Sequence, residues 1–418
     1  MAIADEKIRE KKGITLLPGM AGMTRDIVKE LKAEGIPLLS VDIMVTQQCN
    51  FRCSYCYANS SPEDLPEFTM SEAKDIVNQC IDLKVPIINI QGGEPFFWHP
   101  KDWTGKRGSA VFHFLQYIVD EYKKAKLPLD IVSFTNVSLI DDEKAKILYD
   151  LGVGLCCKLD SINPELQDEL LCTKGGFKLM MRGYDALIKA GYGKPGSPTI
   201  STNTVVTPRN YDELEEMYRW SRGNGFQPFV IPVHVHGRLQ ETGGQEMGLD
   251  RTTIKDKKNL SPLDIKELFE KLAMIDREEF DIQWYPKMPW IENKACSRHL
   301  GGIHIRADGI VVPCSEAPDH WSLGDIREKN LKEIVESPKV QRFREVYSNL
   351  HGKCSPENCE MSAKNLCYGC RTRSYDDTAF NDKGEFDTNN LDPDGFFGGD
   401  PACWRGVKSE AKGTDSQS

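Results

Sequence analysis

The chain has 418 residues, 39% hydrophobic and 28% charged, with a net charge of −10 and fourteen cysteines. That length builds two or three domains with a sizeable core, no run reaches the roughly 18 apolar residues of a membrane span, and the charged N-terminus has no signal-peptide apolar region. An acidic chain without a long basic block excludes a dedicated nucleic-acid or anionic-membrane surface. Many cysteines without a secretion signal favour thiolate–metal ligation in a reducing, cytoplasmic compartment over a disulfide framework.

Residues 1–37 read as a charged, partly helical leader, with Arg25–Lys32 amphipathic, too short for a separate peptide-binding domain. From residue 38 to 245, apolar runs alternate with helical patterns, which predicts βα repeats around a parallel sheet. The strands fall at Leu38–Val45, Ile87–Gln91, Asp130–Thr135, Val153–Asp160, Thr199–Thr207 and Phe229–Val235. Helices start near Ser71, Ser109, Asp141, Gly176 and Tyr211, with Ser71 and Asp141 as caps. Six such units predict an α/β fold, an open, partial TIM-like barrel short of the eight-fold closed form. A polar, Gly-rich stretch from Gly237 to Gly248 ends it, and Asp264–Ile275 predicts a helix within a bridging segment, 246–295. A small cysteine-rich domain follows at 296–405, then a polar tail, 406–418, that reads as disordered.

Directly after the first strand stands Cys49-Asn-Phe-Arg-Cys53-Ser-Tyr-Cys56, a C-x3-C-x2-C loop. Three thiolates converging in a tight loop pack poorly but suit an iron–sulfur cluster, leaving one iron of four open. Structural zinc wants four ligands, and no further Cys or His lies close by in the chain. Tyr55 and Tyr57 flank the last cysteine as an apolar wall. After the second strand comes Gly92-Gly93-Glu94-Pro95, where the glycines permit close backbone approach and Glu94 can accept from an ammonium group. Cys49, Glu94, Asn136 and Asp160 follow strands one to four, at the ends where such barrels place chemistry.

These segments together resemble the radical S-adenosylmethionine (SAM) superfamily. The resemblance implies that Cys49, Cys53 and Cys56 hold a [4Fe-4S] cluster that binds and reductively cleaves SAM to a 5′-deoxyadenosyl radical. It implies SAM contacts from Gly92, Gly93, Glu94 and Pro95 to the methionyl amino group, and from Tyr55, Asn136, Asp160 and Asn203 elsewhere. Lys158 replaces the serine usual two residues before that aspartate, and Lys174 stands where relatives often carry an arginine; either lysine offers a point charge to the SAM carboxylate. His234-Val-His236-Gly237-Arg238 resembles a Gly-Arg pair of the family. Its two histidines share a strand face but read as polar side chains at the barrel mouth rather than a metal pair. Cys80, Cys156, Cys157 and Cys172 have no ligand spacing and read as small hydrophobes.

Seven cysteines remain at the C-terminal end. Gly309-x4-Cys314, Ser322–Ile326 and the helical pattern Leu331–Ser337 resemble the SPASM extension, a domain with two auxiliary [4Fe-4S] clusters. Carried over by order, Cys296, Cys314 and Cys370 serve the first, which lacks a fourth thiolate, and Cys354, Cys359, Cys367 and Cys403 the second. The central spacing here is C-x4-C-x7-C-x2-C, against the usual C-x2-C-x5-C-x3-C, and structural zinc is the alternative. Where sulfatase-maturing members carry an aspartate after the Gly-x4-Cys cysteine, this chain has Ser315, then Glu316 as a candidate proton acceptor.

The expected activity is therefore a radical SAM oxidoreductase that oxidises or cross-links a ribosomally made precursor peptide. It would work with a one-electron donor such as flavodoxin or ferredoxin and a separate leader-binding protein. The alternatives are a dehydrogenase or epimerase of a sugar, cyclitol or tetrapyrrole-type molecule, and a zinc-stabilised binding protein without catalysis. The segments Trp98–Gly108 (with His99, Lys101, Trp103, Lys106 and Arg107) and Leu239–Asn259 are candidate pocket linings, with a solvated loop as the default.

Overall fold

The computed structural model describes residues 33, 35–106, 108–234, 236–241, 260–282, 298–363, 367–378, 393–401 and 403–404. The leader helix Arg25–Lys32, Arg107, residues 242–259, Cys296 and the 406–418 tail lie outside the described residues.

Six strands run parallel in chain order: β1 (Ser40–Met44), β2 (Ile87–Gln91), β3 (Asp130–Thr135), β4 (Gly154–Lys158), β5 (Ile200–Val206) and β6 (Gln227–Pro232). Between them lie α1 (Met70–Asp82), α2 (Ala110–Ala125), α3 (Asp142–Asp150), α4 (Pro164–Leu171), α5 (Gly176–Ala190) and α6 (Leu214–Gly223). These strands and helices match the expected βα order, with two helices between β4 and β5. The cap of α1 is Thr69 rather than Ser71, because Thr69 closes a reciprocal capping box with Glu72, Thr69 N donating to Glu72 Oε2 at 2.8 Å. Ser71 sits in the first turn and donates to Asp102 instead. Asp141 caps α3 as expected, accepting from Lys144 N at 2.9 Å.

Alternation along the strands decides the core. Val41, Ile43, Ile88 and Ile90 are fully buried together with Ala73, Ile76, Val77 and Cys80 of α1 and Phe114, Leu115 and Ile118 of α2. Each such Val, Leu, Ile or Phe side chain contributes about 1.5–3 kcal/mol by leaving water. The opposite strand faces carry Val132, Cys156 and Phe229, which form their own small cluster with Phe134 and Ile231.

The C-terminal segment extends the same sheet, which the sequence reading did not anticipate. β7 (Gly302–Ile305) pairs parallel with β1, and β8 (Ile310–Val312) and β9 (Gly324–Asp325) continue antiparallel. The order is β6-β5-β4-β3-β2-β1-β7-β8-β9, so the barrel stays open. Gly309 makes the β7–β8 turn at φ +96°, a left-handed conformation suited to glycine. After the short α7 (Arg238–Glu241), α8 (Pro262–Glu279) covers the expected bridging helix. It packs on α6, where Asp276 accepts from Tyr218 and Arg222, both at 2.6 Å. Beyond β9 lie short helices: α9 (Leu331–Val335) packs into the main core beside α1, and α10 (Arg371–Asp377) brings Tyr375 to a second core with Trp321, Phe396 and the thiols of Cys314 and Cys354. Among the described residues no helix is long and apolar enough to cross a membrane.

Candidate active site

The loop that follows β1 is fastened on three sides. Gly93 N donates to Thr46 O at 2.8 Å and Glu94 N to Gln48 O at 2.9 Å, so the end of β2 holds its first part. Ser54 N reaches Leu170 O of α4 at 3.1 Å. Arg238 N donates to Cys56 O at 3.0 Å, while its guanidinium donates to Cys53 O and Ser60 O. These contacts explain the glycines. A methyl on Gly93 would stand 2.3 Å from Gln48 O, and one on Gly237 2.2 Å from Tyr57 O.

Cys49, Cys53 and Cys56 all line one cavity of about 340 Å³ at the C-terminal ends of the strands. Backbone N–H groups of Phe51 and Ser60 approach the Cys49 and Cys56 sulfurs at 3.4 Å, as they would thiolates. Burial pushes the Cys53 thiol up to about 12, and burial together with Cys53 and Glu94 raises Cys49. Buried thiols that repel one another as anions fit an iron–sulfur cluster, whose irons supply the missing positive charge.

The cavity wall alternates along the strands. Gly92, Gly93, Asn136, Lys158 and Asn203 line it, between the apolar side chains Phe134, Cys156, Phe229 and Ile231. Asn136 Nδ2 lies 3.8 Å from Cys49 Sγ and 2.9 Å from Asn50 Oδ1, and Asn203 Oδ1 is buried without a hydrogen-bond partner among the described residues. Tyr55, between two cysteines, donates to Asp160, and Lys158 donates to the Tyr55 hydroxyl.

Four expected SAM contacts, Glu94, Pro95, Asp160 and Lys174, do not line this cavity. Glu94 is fully buried behind the glycines; it accepts from Phe96 N at 3.1 Å, Thr135 Oγ1 at 2.9 Å and Asn136 N at 2.7 Å. Burial pushes its carboxyl up to about 7 against those three donors. Pro95 opens a short 3-10 turn beside it and is likewise buried. Lys174 is exposed in the turn between α4 and α5, whereas Lys158 faces the cavity, because β4 ends with its period-two face inward there. The 98–106 segment does not line this cavity: Trp98 is buried with Nε1 on Phe68 O at 2.9 Å, Trp103 packs on His113, and His99, Lys101 and Lys106 are exposed. Leu239 packs against Tyr55 and Leu170 outside the cavity.

The far wall comes from the C-terminal segment. Cys314, Glu316, Cys367, Cys370, Thr372 and Arg373 face the same cavity as the β1 loop. His234, just past β6, stacks on His236 and lies 2.8 Å from Glu316 Oε2, so this pair joins the barrel mouth to the segment after Cys314. Although burial opposes it, the His234 charge holds the Glu316 carboxyl down to about 2, which makes Glu316 alone a weak base. Burial, Asp400, Cys403 and Cys354 push Cys367 up to about 12, opposed by Gly369 N. Cys359 heads a short helical turn away from the cavity. Arg373, Thr372, Phe134 and Phe229 were not singled out from sequence; inward alternation along β3 and β6 marks the aromatics, while nothing local marks Arg373.

A family model described as the radical SAM superfamily matches residues 43–221, and one described as an iron–sulfur cluster-binding domain, SPASM, matches 296–360. Over 79% of its length the chain is 25% identical to 90% of the AdoMet-dependent heme synthase of Methanosarcina barkeri. Over 81% it is 24% identical to 68% of the antilisterial bacteriocin subtilosin biosynthesis protein AlbA of Bacillus subtilis. Streptococcus suis SuiB bound to SAM superposes on 87% of this chain and 80% of its own, with a TM-score of 0.58 and 16% identity, a likeness of fold. SuiB also has a structure with the precursor peptide SuiA bound.

Proposed function

Because the chain belongs to the radical SAM superfamily and carries a SPASM iron–sulfur domain, we propose that it is an oxidoreductase that oxidises or cross-links a ribosomally made peptide. The observation that carries this reading is the shared cavity, where Cys49, Cys53 and Cys56 face Cys314, Cys367 and Cys370. A [4Fe-4S] cluster with SAM supplies a 5′-deoxyadenosyl radical for hydrogen abstraction, and auxiliary iron–sulfur groups supply an electron acceptor. Cys49, Cys53 and Cys56 would hold the first group; Cys314 and Cys370, with Cys296, one auxiliary group, and Cys354, Cys359, Cys367 and Cys403 a second.

The remaining residues place and shield. Gly92, Gly93, Asn136, Lys158 and Asn203 surround the space for SAM, and the unpartnered Asn203 Oδ1 offers an acceptor to a ribose hydroxyl. Phe134, Cys156, Phe229 and Ile231 keep water from the reacting carbon. The His234–Glu316 pair stands in the cavity wall, where it can hold a polar group of the substrate. The relatives AlbA, by its name, and SuiB, by its peptide complex, support the peptide class. Partners in this reading are a flavodoxin- or ferredoxin-type donor and a leader-binding protein, in the cytoplasm.

The similarity to a heme synthase favours a second reading, a tetrapyrrole-type substrate. Incubating the anaerobic enzyme with SAM, reductant and either short peptides encoded beside its gene or a carboxylated tetrapyrrole separates the two. Peptide mass falling by two hydrogens, with deuterium moving from labelled peptide into 5′-deoxyadenosine, is the expected result. Turnover of the tetrapyrrole alone would overturn the peptide reading.

A further inference from the structure

Lys158 ends β4 and pairs in register with Asn203 of β5. Its Nζ lies 2.8 Å from Asp160 Oδ2, donates to the Tyr55 hydroxyl and stands 4.3 Å from the centre of the Tyr55 ring. Tyr55 itself lies between Cys53 and Cys56. Asp160 is anchored behind: its Oδ1 accepts from Val205 N at 3.0 Å, and its own N–H donates to Gln167. The two charges are therefore fixed as an oriented pair. Lys158 lines the same cavity as Cys53 and Cys56 and Asp160 does not, so the positive end of the pair faces the cysteine loop. Burial works against the ammonium, and the 2.8 Å ion pair with Asp160 offsets that cost and holds the charge in place.

We propose that Lys158 is a built-in counter-charge for the cluster held by Cys49, Cys53 and Cys56, one that raises its reduction potential and eases the electron transfer that starts the reaction. The physical ground is Coulombic. Reduction adds a negative charge to a site with little water to screen it, and a cation fixed nearby favours the reduced state. Lys158 is in this sense a positioning residue, acting on the cluster through space and through Tyr55. Lys174, exposed and outside the cavity, has no such effect.

The proposal rests on the assignment of those three cysteines to the cluster, and the two are tested separately. In the anaerobically reconstituted holoenzyme, the EPR signal that disappears in Cys53→Ala is followed through a redox titration without SAM. A signal that survives Cys53→Ala overturns the ligand assignment. With the signal assigned, Lys158→Met should move the midpoint to more negative values, and Lys158→Arg should leave it near the wild type. Because Lys158→Met strands a buried carboxylate and risks misfolding, Lys158→Met with Asp160→Asn removes both charges at once, and a smaller negative shift is expected, since losing the more distant carboxylate offsets part of the loss of the ammonium. An unmoved midpoint in the double variant at full iron content overturns the proposal. So does a loss of SAM affinity as the sole effect, since that would make Lys158 a ligand contact only.

Discussion

Arg238 Nη2 lies 2.6 Å from the carbonyl oxygen of Ser60, 178 residues earlier in the chain, and its Nη1 donates to the carbonyl of Cys53. One guanidinium thus spans the loop of three cysteines from the end of β6. Hydrogen bonds from a charged group contribute about 1.5–3 kcal/mol each. Arg238→Met should loosen the loop and release iron several-fold faster under chelator challenge, with Arg238→Lys in between. Release at the wild-type rate in Arg238→Met would assign the arginine no part in holding the loop.

Gly93, in the cavity wall, also stands against backbone. An added methyl would meet Gln48 O at 2.3 Å and Gln47 O at 2.6 Å, atoms that cannot swing aside, whereas at Gly92 the nearest contact is 2.9 Å. Gly93→Ala should cut the iron bound per chain by about one cluster of four, and Gly92→Ala should cut it less. Iron and sulfide assays check the order of the two.

Glu94 gives a pH dependence whose sign follows from its raised pKa. The folded value is about 7 against an ordinary 4.5. The folded state therefore binds the proton more tightly, and the contribution to stability is greatest below about pH 4.5, falls between there and about 7, and is flat above. Relative to Glu94→Gln, the wild type should lose on the order of 3 kcal/mol between pH 4.5 and 8. Denaturant midpoints of the two proteins at both pH values test this, and a constant gap would contradict it.

Changing Cys49, Cys53 and Cys56 together to Ala should lower the iron content from roughly twelve per chain to about eight and abolish SAM cleavage. About four irons in the wild type, with zinc in the C-terminal part, would contradict two auxiliary clusters.

The barrel was legible because its signals are local. Apolar runs such as Ile87–Gln91 and Asp130–Thr135 carry strand character without help from the rest of the chain, and they form β2 and β3 at the expected bounds. The C-x3-C-x2-C loop was legible for the same reason. β7 was not, since four residues, Gly302–Ile305, become a strand only beside the edge of β1. The direction of Glu94 was also hidden: its spacing marks a loop end, but only the packed structure shows Asn136 N and Thr135 waiting behind it. Lys158 and Lys174 were interchangeable by sequence, and a strand face against an open turn separates them.

The pairing of β1 with β7 bears on how the protein is made. Ser40 to Ile43 find their outer neighbours only when Gly302 to Ile305 exist. At about 5–20 residues per second, translation leaves that edge bare for roughly ten to fifty seconds. During this time the nascent chain exposes an apolar strand template together with the thiols that follow it. Cellular maturation thus has to guard both at once, from unwanted strand pairing and from oxygen, and a chain that stops short of residue 302 keeps the hazard for good.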